Sequence, residues 1–141
     1  MKQQQGFTLM EIMVAIAIIS ILSAIGIPSY QGYIQKAALT DILQNIVPYK
    51  SGIELCGFET EDFMGCNAGA MSIPKDHNSR YIESISVKNG EVTINGEKSL
   101  KNLSITLKPS QNTQIGTIKW NIKCESTNNS LKNRCQEIFE F

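Results

Sequence analysis

From Gly6 to Tyr30 the chain reads GFTLMEIMVAIAIISILSAIGIPSY, and between Ile12 and Ile27 no residue carries a charge. Read as one helix, this stretch is about 37 Å long, which is enough to cross a hydrocarbon core of about 30 Å. A rod that apolar ends up in a bilayer or among other apolar rods. Glu11 is the anomaly. A carboxylate near the start of a membrane helix costs several kcal/mol and marks a functional position by default. It needs a partner. The nearest candidate is an amine freed by cutting the chain after Gly6, which would put the new N-terminus, Phe7, one helical turn from Glu11.

Residues 1–6, MKQQQG, are polar with a single lysine, and Lys2 fits a cytoplasmic N-terminus. Ala24 and Gly26 could mimic the cut site of an ordinary secretory signal, but Glu11 interrupts the place where its apolar region should begin. The remaining chain is long enough for one small soluble domain. The full chain's formal net charge of zero, and about −1 once Lys2 goes with residues 1–6, gives no electrostatic case for general nucleic-acid binding.

Four cysteines, Cys56, Cys66, Cys124 and Cys135, all follow the apolar stretch. An even count in a short exported chain favours disulfides. Three pairings are open; Cys56–Cys66 and Cys124–Cys135 are preferred because each closes a short polar loop. No Cys-x-x-Cys spacing exists and the single histidine, His77, is isolated, so neither a metal nor a cofactor is expected. His77 reads as a solvent-exposed loop residue.

After the apolar stretch, Leu39, Ile42, Ile46, Tyr49 and Ile53 recur every three or four residues, while Lys36, Asp41, Gln44 and Lys50 fall largely off that stripe. This is a helix lying on a soluble domain and continuing the membrane helix. Pro48 predicts a bend and Gly57 a stop. Residues 56–80 are polar and irregular, a long loop pinned by Cys56–Cys66 and a candidate subunit-contact surface.

Tyr81, Ile82, Ile85 and Val87 then precede Asn89-Gly90, with Val92 and Ile94 after it, a strong hairpin signal. Leu103, Ile105 and Leu107 alternate with polar residues as a third strand ended by Pro109. Ile118, Trp120 and Ile122 do the same as a fourth that leads into Cys124, with Trp120 expected in the core. Four antiparallel strands packed on the long helix make an α+β domain, followed by a polar tail closed by Cys124–Cys135. Asn102-Leu103-Ser104 and Asn128-Asn129-Ser130 match the glycosylation pattern by chance only.

The run Gly6-Phe7-Thr8-Leu9-Met10-Glu11-Ile12 resembles the prepilin cleavage motif of type IV pilins. The similarity continues through Pro28-Ser29-Tyr30, Gln35-Lys36-Ala37-Ala38-Leu39-Thr40-Asp41, Val47-Pro48-Tyr49 and Glu54-Leu55-Cys56, which resemble the type IVa pilins and their prepilin-peptidase-dependent major-pilin subgroup. It implies that residues 1–6 are a leader removed by a membrane peptidase, which also methylates Phe7. Residues 7–30 would be a transmembrane and later filament-core helix, and residues 31–141 a periplasmic and then extracellular globular domain with a disulfide-bounded C-terminal loop. Glu11 would pair with the Phe7 amine of a neighbouring subunit during assembly. Gly26 and Pro28 would be where the helix kinks or melts in the filament. The partners implied are further copies of the chain, the prepilin peptidase/methyltransferase, an assembly ATPase, an inner-membrane platform protein, minor pilins and an outer-membrane secretin. The inner membrane is the location before assembly and an extracellular pilus after it, serving adhesion, twitching motility or DNA uptake.

Three rivals stand beside this reading. A type II secretion pseudopilin would tend to carry a calcium site near its C-terminus instead of the Cys124–Cys135 loop. A minor or competence pilin that binds DNA would rely on a small basic patch from Lys119, Lys123 and Lys132. A membrane-anchored periplasmic binding domain or enzyme would keep its helix in lipid, show no processing at Gly6 and form no filament. No paired carboxylates, phosphate-cradling glycine loop or histidine-supported nucleophile is visible, so the chain reads as a substrate of processing enzymes and not as an enzyme.

Overall fold

A computed structural model describes residues 1–112 and 114–140. The chain divides into two compact units, Met1–Ile34 and Gln35–Phe141. Helix α1 is assigned over Leu9–Thr60 and so contributes to both.

In the first unit the apolar part of the helix is exposed. Its most apolar stretch has a mean hydropathy of 2.4 with none of it buried, and among the described residues it is the one helix long and apolar enough to cross a membrane. Two of the three serines that interrupt the greasy surface turn inward on their own helix: Ser20 Oγ donates to Ile16 O at 2.6 Å and Ser29 Oγ to Ile25 O at 3.1 Å. A hydroxyl satisfied this way costs little in lipid, where no water is available to pair with it. The helix is assigned without interruption through Gly26 and Pro28.

The second unit is an α+β sandwich. Strands β1 (Ile82–Lys88), β2 (Glu91–Gly96), β3 (Leu103–Asn112) and β4 (Thr117–Ser126) form one antiparallel sheet in that order. The period-two alternation aligns the inward residues into rows that cross the sheet. One row runs Ile85, Ile94, Ile105 and Cys124, and the next Val87, Val92, Leu107 and Ile122. The α1 stripe Leu39, Ile42, Ile46, Tyr49 and Ile53 is buried with them in one core. The uneven spacing from Ile82 to Ile85 is absorbed by an irregularity in the β1–β2 register between Ile82 and Ser84, so both isoleucines still face inward. At the hairpin turn Asn89 and Gly90 both have positive φ, 48° and 79°, the pairing that a two-residue turn of this hand requires.

Both preferred disulfides form. Cys56–Cys66 and Cys124–Cys135 have Cα–Cα distances of 6.0 and 6.1 Å. The Cys66 loop is further knitted to the β1–β2 turn by four hydrogen bonds. Gly65 N donates to Asn89 Oδ1, Asn89 N to Asn67 Oδ1, Gly90 N to Cys66 O and Ala68 N to Val87 O. The last of these also covers one end of the exposed edge of β1.

Four expectations need correction. The helix does not stop at Gly57 but continues to Thr60; Gly57 serves close packing, since a Cβ there would lie 2.5 Å from the Phe63 ring. Pro109 does not end β3. Beyond Leu107 the strand has lost β2 and pairs only with β4, so a residue without an N–H is tolerated on the open side. Most of the C-terminal tail is not loop but helix α2 (Asn129–Ile138), which turns Leu131 and Cys135 into the core. Trp120 is only half-buried at the margin of the core.

Candidate functional site

Gly6 and Phe7 precede α1 in exposed chain outside any helix or strand, and Phe7 is 86 % exposed. Nothing lies within 4 Å of a Cβ placed on Gly6, so the fold itself does not ask for glycine there. An open, sterically bare peptide bond is what a processing enzyme needs.

Thr8 begins the helix and Glu11 closes its first turn on it. Thr8 N donates to Glu11 Oε2 at 2.8 Å and Thr8 Oγ1 to the same oxygen at 3.0 Å, while Glu11 N donates to Thr8 Oγ1 at 3.3 Å. This is a reciprocal capping box, threonine at the cap and glutamate three residues on, and it satisfies backbone donors that a helix start otherwise leaves open. The carboxylate also sits where the helix dipole is positive. Both contacts to the carboxylate fall on Oε2; Oε1 accepts no hydrogen bond among the described residues. Phe7, Glu11, Ile12, Ala15 and Ile16 line one shallow groove of about 270 Å³, so the residue expected to carry the new amine shares a surface with the carboxylate. Glu11 and its isolation are legible in the sequence; Thr8 as its partner is signalled there only by the Thr-x-x-Glu spacing.

The basic patch is thin. Lys119 and Lys123 project from the exposed face of β4 and Lys132 from α2, half-buried. Lys123 Nζ is engaged by Glu125 Oε1 at 2.7 Å, which raises the lysine's pKa and lowers the carboxylate's, both first through their hydrogen bond.

Three contacts in the globular unit were not legible beforehand. The Tyr49 hydroxyl reaches Lys75 O at 2.5 Å and His77 Nδ1 at 2.6 Å, and the two rings stack 5.7 Å apart. His77 is indeed exposed, yet it is tied to the core. Trp120 Nε1 donates to Glu54 Oε1 at 2.7 Å, joining β4 to α1. Arg134 Nη1 donates to Gln35 Oε1, joining α2 to α1. The Asn128 side chain caps α2 by accepting from Ser130 N and Leu131 N at 3.0 and 3.3 Å.

Residues 1–27 match the family description "Prokaryotic N-terminal methylation motif". Along its whole length the chain is 43 % identical to "Prepilin peptidase-dependent protein D" of Escherichia coli (strain K12), of which it covers 97 %. It is 33 % identical over 83 % of its length to a "Fimbrial protein" of Neisseria meningitidis serogroup B, covering 71 % of that chain. It is 32 % identical to "Type IV major pilin protein PilE1" of Neisseria gonorrhoeae, again over 83 % of its own length and 74 % of the relative's. Among solved structures it is similar to the solution structure of the major type IV pilin PpdD from enterohemorrhagic Escherichia coli. The TM-score is 0.67 and the identity 35 %, over 77 % of this chain and 83 % of that one.

Proposed function

The chain belongs to the type IV pilin family, and we propose that it is a type IVa pilin, a structural subunit cut after Gly6, methylated on Phe7 and polymerised through α1 into an extracellular filament. It is not an enzyme; its relatives are pilin and fimbrial proteins. The observation that carries the reading is the pairing of a helical stretch, uncovered and uncharged from Ile12 to Ile27, with one carboxylate beside a bare Gly6–Phe7 bond. Burial against lipid tails gives no advantage over burial against like helices, since both are apolar, so packing and the Glu11 pair must supply the specificity of assembly. Cleavage would set an ammonium at Phe7, and Glu11 would take that of a neighbouring copy. Two opposite charges in an apolar bundle are far better together than either alone.

On this reading the subunit waits in the inner membrane with its N-terminus in the cytoplasm. A peptidase/methyltransferase, an assembly ATPase, a platform protein and a secretin then act on it in turn. Gly26 and Pro28 are where α1 can loosen inside the filament, since Pro28 brings no N–H to the helix. Mass spectrometry of the mature N-terminus tests the proposal: methylated Phe7 is expected, and an intact Met1 in assembled material would end it. Glu11→Ala should still be processed but form few filaments; normal piliation would remove the pairing role.

A further inference from the structure

We propose that Asn89 is a site of spontaneous deamidation that the Cys56–Cys66 loop holds in check, so that opening of the loop lets the β1–β2 turn change covalently and irreversibly. Asn-Gly occurs twice, at Asn89-Gly90 and Asn95-Gly96, each followed by a glutamate. Glycine has no side chain to obstruct attack by its own backbone nitrogen on the preceding carboxamide. In that step Gly90 N forms a bond to Asn89 Cγ, the Cγ–Nδ2 bond breaks, and ammonia leaves with the proton that Gly90 N gives up. Water then opens the cyclic imide at either carbonyl, giving aspartate or isoaspartate. The reacting dipeptide and its successor are the same at both sites, so a difference in reactivity comes from the fold.

At Asn89 one short segment holds both reacting groups. Gly90 N donates to Cys66 O at 2.8 Å, so the proton the nucleophile must lose is already engaged. Asn89 Oδ1 accepts from Gly65 N at 3.1 Å, which ties the carboxamide to the loop, and Asn89 N donates to Asn67 Oδ1 at 2.9 Å. Gly90 is buried against Phe63, whose Cβ would lie 2.9 Å from a Cβ at that position, so the turn has little room to reshape for ring closure. Asn89 itself is exposed, and water for the hydrolysis is at hand. Gly65, Cys66 and Asn67 supply all three clamps, and the Cys56–Cys66 bond fastens that segment to α1. Asn95 is held differently. Its Nδ2 donates at 3.0 Å to Ser84 Oγ, on the residue it pairs with in the β1–β2 ladder. Opening the Cys66 loop therefore frees Asn89 and leaves Asn95 in its strand. The product then bars the way back. Aspartate keeps an acceptor for Gly65 N, but isoaspartate runs the main chain through the side-chain carbon. That lengthened chain does not fit a turn built on two successive positive φ angles of 48° and 79°. The inference rests on the globular unit alone and is independent of the pilus reading.

Peptide mapping by mass spectrometry follows both asparagines at once, since each conversion replaces an amide NH2 by OH and isoaspartate separates from aspartate on elution. The full chain is incubated in detergent in warm, mildly alkaline buffer as wild type, as Cys56→Ser/Cys66→Ser and as Asn67→Ala, beside wild type unfolded in guanidinium with its disulfides reduced. Folded wild type is expected to convert Asn89 at least about tenfold more slowly than the unfolded chain, the order of one or two hydrogen bonds. The double serine variant should speed Asn89 by about tenfold, or about 1.4 kcal/mol of barrier, with Asn95 at its wild-type rate. Asn67→Ala, which keeps both disulfides, covers the case in which losing one of them loosens the whole sheet: it should speed Asn89 alone by about threefold, the worth of one neutral hydrogen bond. The proposal is overturned if Asn89 in folded wild type converts as fast as in the unfolded chain, or if neither variant speeds Asn89 without also speeding Asn95.

Discussion

Removing a single oxygen, in Tyr49→Phe, tests what holds the long loop after α1 against the core. The Tyr49 ring is fully buried, and its hydroxyl meets Lys75 O at 2.5 Å and His77 Nδ1 at 2.6 Å. A carbonyl can only accept, so the one phenolic proton goes to Lys75 and His77 donates from Nδ1. Phenylalanine keeps the packing and deletes both bonds. Each is worth about 0.5 to 1.5 kcal/mol, but Lys75 and His77 are exposed enough for water to replace the lost partner, so the expected cost is about 1 to 2 kcal/mol. Urea unfolding of the full chain in detergent, followed by Trp120 emission, reads it directly, because the Trp120–Glu54 bond joins sheet to helix. A pH series sharpens the test. Burial, and then the charge of Asp76, push the Tyr49 phenol above its usual value. The unfolded chain therefore ionises first, at about pH 10, while the folded chain keeps its proton. The stabilisation from this group is complete below about pH 10 and is lost as pH climbs through the raised folded value. The gap between wild type and Tyr49→Phe should accordingly shrink above about pH 10. A gap of zero at neutral pH would refute the bonding. A loss above about 3 kcal/mol would refute the claim that water stands in for the hydroxyl.

Asn128→Ala removes the cap of α2 and should cost about 1 kcal/mol, with faster amide exchange at Ser130 and Leu131; unchanged exchange there would show that the cap is idle. Gly57→Val sets a side chain where a Cβ alone would approach the Phe63 ring to 2.5 Å, and should lower stability by about 1 to 3 kcal/mol in the same urea assay. A midpoint equal to wild type would mean that Phe63 moves aside freely.

Periodicity was legible wherever one face of an element is buried. Leu39 to Ile53 and the rows through Ile94 and Leu107 needed no tertiary knowledge, because burial on one side leaves a 3.6- or two-residue rhythm. Helix α2 escaped because only Leu131 and Cys135 turn inward from it, too few to make a rhythm; its signal was the cap, Asn128, in a run read as polar loop. Pro109 and Gly57 misled for a common reason. Each is a breaker only where a neighbour demands its N–H or the helix has nowhere to pack, and both facts belong to the fold. Contacts such as Trp120 with Glu54, far apart along the chain, leave no local trace at all.

The capping box at Thr8 and Glu11 changes how the assembly role of Glu11 must be tested. Glutamine serves at the third helical position of such a box as well as glutamate does. Glu11→Gln therefore keeps an acceptor for Thr8 N and Thr8 Oγ1 while removing the charge that an ammonium would seek. Alanine removes both at once and cannot separate the two roles. A bond from an ammonium to a carboxylate is roughly twice as strong as one between neutral groups. On the pairing proposal, a neighbour's Phe7 amine thus outcompetes the local donors for the carboxylate, and Oε1 is open to receive it without breaking the box. The expectation is that Glu11→Gln is cleaved after Gly6 and inserts normally, yet yields few filaments when sheared pili are weighed against membrane-held subunit. Wild-type piliation by Glu11→Gln would mean that the acid acts as a helix cap, and that the specificity of assembly comes from packing alone.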